Sequence, residues 1–430
     1  MNAKKLDEKQ VRIVGIGMQL PSREGVCDTK EQFWEIVKKG KCEISNIEED
    51  NESKIKIAGK VHTIQSAIFG LAPKHEKKYS RASFLAAIAV RNALVDAKLD
   101  PRALSNERTL LVVASAFFTL ETLTKQHSTY LEEGSKGLGI DFLLQGTPGS
   151  IASAVSKLTS LDCPTLTVSG SCVVALNALE IANERIQSGK IDRAIVVGVD
   201  APIDALYLSA TSYRNKSGST LSSLSSDPNS VRPHDKRVMG NACGEGAVAV
   251  ILEGVKNEEK STTSNLGPYK LYFSTSRKSG NSLVDSGEPD NYGKSVKRVL
   301  DKAVISMGDV GFINDFCEGT QYIEDFFCDI VRYIRKETKY SEEMLLTNQE
   351  AAFGHVPAAA GLIKLLSNTM MMEKQLVTPC INCEQVYDQL NYIQMVPVQG
   401  KCINKQSKYS LVISGGSGGD CAVMLIEKCN

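Results

Sequence analysis

Two stretches of this chain repeat one another. GEGAVAVILEG (244–254) and GGDCAVMLIEK (418–428) each start on glycine, run through small and apolar residues and carry a glutamate near the end. Gly244 and Gly418 are 174 residues apart (418−244), as are Glu253 and Glu427 (427−253). A looser echo joins TLTVSGSCVVALNALEIA (165–182) to LLTNQEAAFGHVPAAAGLIKLL (345–366), in which Cys172 and His355 are 183 apart (355−172). Each reads as a strand, a turn or loop, a chemically capable side chain and a small-residue helix. Two related halves joined by the polar stretch VKNEEKSTTSNLG (255–267) would account for both offsets. The other reading is a chance likeness of strand–glycine–helix patterns.

The periodicity between the echoes supports a layered α/β fold. VRIVGIGMQL (11–20) predicts a strand running into a glycine turn, and EQFWEIVKKG (31–40) a helix with a glycine stop. SRASFLAAIAVRNALVDAKL (80–99) predicts a long helix started by serine, and RTLLVVASA (108–116) a buried strand. The Ser-rich stretch 209–226 predicts a surface loop, a candidate rim over a site. Fifty Lys+Arg balance fifty Asp+Glu, which argues against a general nucleic-acid binder. Neither a secretory leader nor a bilayer-length apolar run is legible, so the expected location is cytoplasmic, away from membranes. The twelve cysteines, many in apolar runs, predict reduced core thiols. Cys380 and Cys383 form one CxxC without a second ligand pair, so no metal site is expected.

Four places could carry chemistry. Cys172 follows Ser169, Gly170 and Ser171 at a strand-to-helix turn. A helix start offers free N–H groups and a positive partial charge, which favour a thiolate and can hold a developing oxyanion. The alternative is an inert core cysteine. His355, between Gly354 and VPAAAGLIKLL, is either a general base or a capping histidine, and the chain has only five histidines: 62, 75, 127, 234 and 355. Glu318 of DFCEGTQ is a base, a hydrogen-bond acceptor for His355 or a helix-start residue. SGGSGG (414–419) permits close backbone approach to a ligand, but lacks the lysine of a P-loop and the glycine spacing of a dinucleotide site.

Taken in order, these segments resemble the β-ketoacyl synthases, the condensing enzymes of the thiolase-fold superfamily. IVGIGMQLPS with FWEIVKKGK is similar to the family's opening, and the stretch 147–200 to the segment that carries its nucleophilic cysteine. RPHDKRVMGNACGEGAVAVILE is similar to RPFD…GEGAG, and FGHVPAAAGLIKLL to the GHxxAAAG helix. ISGGSGG lies where the family has its Phe-Gly-Phe-Gly-Gly loop. The resemblance implies a thiolase-like fold of two duplicated βαβ halves, layered α-β-α-β-α. The expected divisions are residues 1–254 with the cysteine, a linker at 255–267, and residues 268–430 with the histidine and glycine-rich loop. It also implies an acyl-Cys intermediate on Cys172, backbone N–H groups of Cys172 and Ser417 as the oxyanion hole, and a dimer with itself or with a homologous ketosynthase. No bound cofactor is implied. The substrate would ride on the phosphopantetheine of a separate acyl carrier protein, or on CoA.

The departures are at the site itself. The family uses a cysteine and two histidines. His355 fits the second, but the first aligns with Glu318. The family lysine five residues before the second histidine aligns with Glu350, and the second loop phenylalanine with Ser417, beside Gly418. Glu350, Ser417 and Gly418 are therefore expected at the substrate pocket. Acyl loading on Cys172 needs none of the missing groups. Decarboxylative condensation does, because an ionised Glu318 cannot donate to an enolate oxygen and repels a malonyl carboxylate; only a Glu318 kept protonated by burial or by repulsion from Glu350 could donate. Losing one such donor costs about 3–4 kcal/mol of barrier. The chain therefore reads as a ketosynthase-like acyltransferase of fatty-acid or polyketide-type specialised metabolism. Its condensation is impaired, in the manner of non-elongating ketosynthase domains, which pass chains on unchanged, or is replaced by transfer to an amine or hydroxyl acceptor for which Glu318 and His355 serve as bases. A non-condensing chain-length partner subunit and a fully active β-ketoacyl-carrier-protein synthase are the alternatives.

Overall fold

A computed structural model describes residues 10–47, 54–213, 220–255, 266–280 and 285–429. The strands that frame the molecule are β1 (Val11–Ser22), β2 (Thr109–Ser115), β3 (Thr165–Ser169), β4 (Arg193–Asp200), β5 (Gly246–Gly254), β6 (Leu266–Arg277), β7 (Val310–Asn314), β8 (Met344–Thr347), β9 (Met395–Pro397), β10 (Tyr409–Gly416) and β11 (Asp420–Lys428). They lie in the order β9-β8-β7-β10-β11-β6-β1-β5-β4-β2-β3, with a short strand Gly25–Cys27 added to β1.

That order contains one topology twice. In the first half β3, β2 and β4 run parallel, and β5 turns antiparallel to pair β4 with β1. In the second, β8, β7 and β10 run parallel, and β11 turns antiparallel to pair β10 with β6. The repeated sequences therefore occupy equivalent strands, β5 and β11. Their matching glutamates do equivalent work at the strand ends: Glu253 pairs with Arg193 at 2.6 Å and Glu427 with Lys408 at 3.2 Å. The halves meet where β1 touches β6.

Helices complete the layers. They are α1 (Lys30–Lys38), α2 (Arg81–Ala97), α3 (Val174–Gln187), α4 (Pro289–Ala303), α5 (Gln321–Thr338) and α6 (Pro357–Lys374). α2 covers β1 and β5 on one outer face, while α4 covers β6 and β11 and packs on α5. α3 and α6, the helices of the second echo, pack on each other in the central layer. Position in the layers explains composition. α2 begins as the sequence predicts, with Ser80 accepting from the Ser83 N–H. α6 buries sixteen residues, Pro357 to Met372, and so is enclosed on every face. Gly198 on β4 lets α6 approach, since a Cβ there would stand 1.8 Å from the Ala358 carbonyl oxygen.

One sequence expectation needs correction. The Ser-rich stretch is not simply a surface loop. Its first residues finish the helix Ala205–Thr211, and Ser222 and Ser223 are buried, bonded to Asn241 and Ser230. Residues 214–219 lie outside the described ones. Most of the expected linker, 256–265, also lies outside them, while Leu266 and Gly267 already belong to β6. All cysteines are free thiols. Among the described residues no helix is long and apolar enough to cross a membrane.

Candidate active site

The duplication places the site. β3 leads through a tight turn into α3, and β8 leads through a loop into α6. Because α3 and α6 are central neighbours, the residues at their starts face each other. Cys172 stands just before α3, and His355 just before α6. The Cys172 Sγ and His355 Nε2 atoms are 3.2 Å apart, a separation no sequence offset could specify.

His355 is held on both sides. Its N–H donates to the Ala242 carbonyl and its carbonyl accepts from the Gly244 N–H, both at 2.8 Å. Its Nδ1 lies 3.0 Å from Glu350 Oε2 and 3.8 Å from Glu318 Oε2. A carboxylate at Nδ1 fixes the proton there in the neutral ring and leaves the Nε2 lone pair facing the thiol. Glu350 is itself clamped by the Lys364 ammonium, and both side chains are almost wholly buried. Burial alone would raise the Glu350 carboxyl, but Lys364 and His355 outweigh it and hold it at about 2. Burial would likewise lower His355, yet Cys172 and Glu350 push it well above the ordinary imidazole range.

Glu318 leaves the end of β7 on a loop that precedes α5. Gly319 turns this loop at φ +94°, and its carbonyl accepts from the Gly240 N–H at 2.9 Å. Burial raises the Glu318 carboxyl, and Glu350 adds to this, while His355, Asn241 and Thr320 oppose it. The glycine-rich loop closes the remaining side. A Cβ on Gly416 would stand 2.0 Å from Ser171 Oγ and 3.4 Å from the Cys172 nitrogen. Ser417 is exposed, and Gly418 is buried with its N–H given to the Asp285 carbonyl at 2.9 Å. Cys172, His355, Glu318 and Glu350 are thus brought together around one imidazole. Glu350 stands behind that ring, bonded to it.

Two residues that position this site were not singled out in the sequence. Lys364 is the one charged residue in GLIKLL, and a lysine inside an apolar helix was the available signal. Asp200 ends β4, fully buried. It accepts from Ser115 Oγ, from the N–H groups of Ala116 and Phe117, and from the Ala358 N–H at 2.8 Å. It thereby pins the first turn of α6, which follows His355. His234 stands apart from this cluster, its ring nitrogens engaged by Asp315 and Glu324.

Residues 8–258 match the model of the β-ketoacyl synthase N-terminal domain, and residues 273–384 that of the C-terminal domain. The chain belongs to the β-ketoacyl synthase family. It is 24% identical over 432 residues to the tetracenomycin polyketide synthase ketoacyl synthase alpha subunit of Streptomyces glaucescens, covering 96% of this chain and 95% of that one. It is 22% identical to 3-oxoacyl-[acyl-carrier-protein] synthase 2 of Vibrio harveyi, covering 98% and 99%. Among solved structures, the ishigamide ketosynthase/chain length factor aligns with a TM-score of 0.82 at 18% identity, over 98% of this chain and all of that one. A β-ketoacyl synthase from Burkholderia phymatum aligns at 0.80 and 19%, with the same coverage. The thiolase-like fold follows, with a ketosynthase kind of transferase as the family's chemistry.

Proposed function

We propose that this chain is an acyl-Cys transferase. It takes an acyl group from a carrier-protein or CoA thioester and delivers it, unextended, to an amine or hydroxyl acceptor. The observation that carries this reading is the line Cys172 Sγ–His355 Nε2, 3.2 Å, and His355 Nδ1–Glu350 Oε2, 3.0 Å. It is the arrangement of a nucleophile, a base and an orienting carboxylate.

In the first step His355 Nε2 takes the thiol proton, and the Cys172 sulfur attacks the thioester carbonyl. Backbone N–H groups at Cys172 and Ser417 hold the oxyanion. Collapse breaks the C–S bond to pantetheine, whose leaving sulfur takes the proton back from His355. In the second step His355 removes the proton of an N–H or O–H acceptor as that atom attacks the acyl-Cys. The Cys172 sulfur departs and is reprotonated. Glu350 stabilises the imidazolium in both steps. Ionised, Glu318 favours this route over condensation, because a carboxylate then stands where a malonyl carboxylate and an enolate oxygen would have to sit; the burial that raises its carboxyl works toward the protonated form, which alone could donate. Retention of Cys172 favours an active enzyme over a non-condensing partner. The partners in this reading are an acyl carrier protein and a second ketosynthase-type chain, identical or homologous.

The test is intact-protein mass spectrometry after mixing with acyl-carrier thioesters, followed by malonyl-carrier or by amine and alcohol acceptors. The expected result is an adduct on Cys172, absent in Cys172→Ala, that is released unextended. Release as a chain two carbons longer would identify a condensing enzyme. No adduct would identify a partner subunit.

A further inference from the structure

The two carboxylates that face His355 arrive from neighbouring strands. β7 and β8 run parallel, with Ile313 beside Leu346 and Asn314 beside Thr347. Asp315 and Asn348 come next along each strand, and both are fully buried. From there one segment leads to Glu318 and the other to Glu350.

The Asn348 amide joins these segments. Its Nδ2 donates to the Cys317 carbonyl at 2.9 Å and to Asp315 Oδ1 at 3.1 Å. Its Oδ1 accepts from the Glu350 N–H at 2.9 Å. We infer that Asn348 is a positioning residue of the site, one buried amide that sets where Glu318 and Glu350 stand about the His355 ring. The inference rests on the reading of Cys172 as the nucleophile and His355 as its base.

The chemistry of the side chain fits this task. A primary amide carries two donors and an acceptor on one rigid plane. Here the donors hold the residue before Glu318, and the acceptor holds the backbone of Glu350. An ionised aspartate would keep the acceptor and lose both donors. The next residue shows the contrast. The Gln349 amide is bonded to Asn314, Thr347, Ser367 and Thr378, groups of the strands and of α6 and its exit, so it serves the scaffold.

The far side of the amide is anchored too. Asp315 Oδ1 also accepts from the Cys317 N–H at 2.6 Å, and Asp315 Oδ2 lies 2.9 Å from His234 Nε2. His234 Nδ1 lies 3.0 Å from Glu324 Oε2, so the imidazole and two carboxylates form a satisfied buried group that fixes Asp315. Cys317 is gripped at its N–H by Asp315 and at its carbonyl by Asn348, and Glu318 follows directly.

The charged groups about the His355 ring show what the spacing does. Cys172 Sγ stands 3.2 Å from Nε2. Glu350 Oε2 and Glu318 Oε2 stand 3.0 and 3.8 Å from Nδ1, with the Lys364 ammonium behind Glu350. A carboxylate at Nδ1 stabilises the imidazolium formed when Cys172 gives up its proton, and the attraction falls with distance. Drift of either segment therefore weakens the base, although Asn348 touches neither the ring nor the thiol.

The test is alkylation of Cys172 by iodoacetamide across pH, read by peptide mass so that the other cysteines do not count. It needs no acyl substrate. Asn348→Ala should move the rise of the rate to higher pH by about one unit, and so lower the rate at pH 7 about 10-fold. Asn348→Asp keeps the side chain's shape and leaves no cavity; it should fall between the parent and Asn348→Ala. In a Glu318→Gln background, Asn348→Ala should cost only about 3-fold, because one of the two groups it places is already gone. A purely structural asparagine would change denaturant melts but not the pH profile of the folded protein. A parental rate and profile in whichever of the two Asn348 variants folds, or losses that multiply in full with Glu318→Gln, would overturn the role. Acyl-carrier loading, run alongside, separates the two readings: failure to load in the parent, with the alkylation shifts present, would refute acyl transfer and uphold Asn348.

Discussion

The double exchange Glu350→Lys with Lys364→Glu separates the two things Glu350 does. It pairs with a buried ammonium, and it faces His355 Nδ1. Removing the carboxylate alone, as in Glu350→Gln, strands Lys364, and breaking a buried pair from one side costs about 3–5 kcal/mol of stability. The exchange keeps one cation and one anion in contact, so it spares Lys364's stranding and should cost less stability than Glu350→Gln, although it gives up the Glu350–His355 contact. Its effect at His355 is different. Unit charges at the observed 3.0 Å interact by about 5–6 kcal/mol at an effective dielectric of ~20, favouring the imidazolium formed when Cys172 gives up its proton. Losing even half of that slows the step on the order of 100-fold, and an ammonium beside Nδ1 slows it further. Stopped-flow acylation followed by intact mass, with denaturant melts in parallel, reads both quantities. An exchanged protein that is stable and acylates at the parental rate would refute the role given to Glu350.

Three further outcomes are expected. Glu318→His restores a neutral donor and should raise malonyl-carrier decarboxylation on the order of 100-fold; unchanged carbon dioxide release would remove Glu318 as the block. Gly416→Ala puts a Cβ 2.0 Å from Ser171 Oγ and should slow acylation of Cys172 about 100-fold; adding Ser171→Gly should restore part of the rate, and no rescue would refute the steric account. Glu350 also sets an acid limb. Its carboxyl stands at about 2 in the folded chain against an ordinary 4.5, so its contribution to stability is complete above about 4.5 and is lost as pH falls toward about 2. His355 is shifted upward, so its contribution is complete below its ordinary 6.5 and is lost as pH rises through the folded value. Denaturant melts across pH should therefore show Glu350→Gln losing the acid limb, and an identical profile would contradict the pairing.

Much of this molecule was legible in its sequence, because periodicity and repetition are local. The glycine-led echo marked β5 and β11, the second echo marked α3 and α6, and Ser80 marked the start of α2. Cys172, His355, Glu318 and Glu350, which the structure gathers around one imidazole, could be picked out by position. The partnership of Glu350 could not. Its neighbours are a histidine five residues on and a lysine fourteen on (364−350), and only the path of the chain from loop into α6 aims both at one carboxylate. The Ser-rich stretch misled because composition reports average exposure, whereas Ser222 and Ser223 are buried by partners nearly twenty and seven residues away.

The sequence by itself determined the layered α/β architecture, its doubling and the identities of the reactive side chains, since these follow from residue types at short spacing. Tertiary structure alone decided which charges meet. Central packing of α3 on α6 sets Cys172 against His355 and Glu350, and the closing of β7 onto the segment before β5 sets His234 against Asp315 and Cys317. The physical reason is range. Helix and strand patterns are written within a few residues, but a hydrogen bond or an ion pair is won at about 3 Å between groups the chain brings together from far apart.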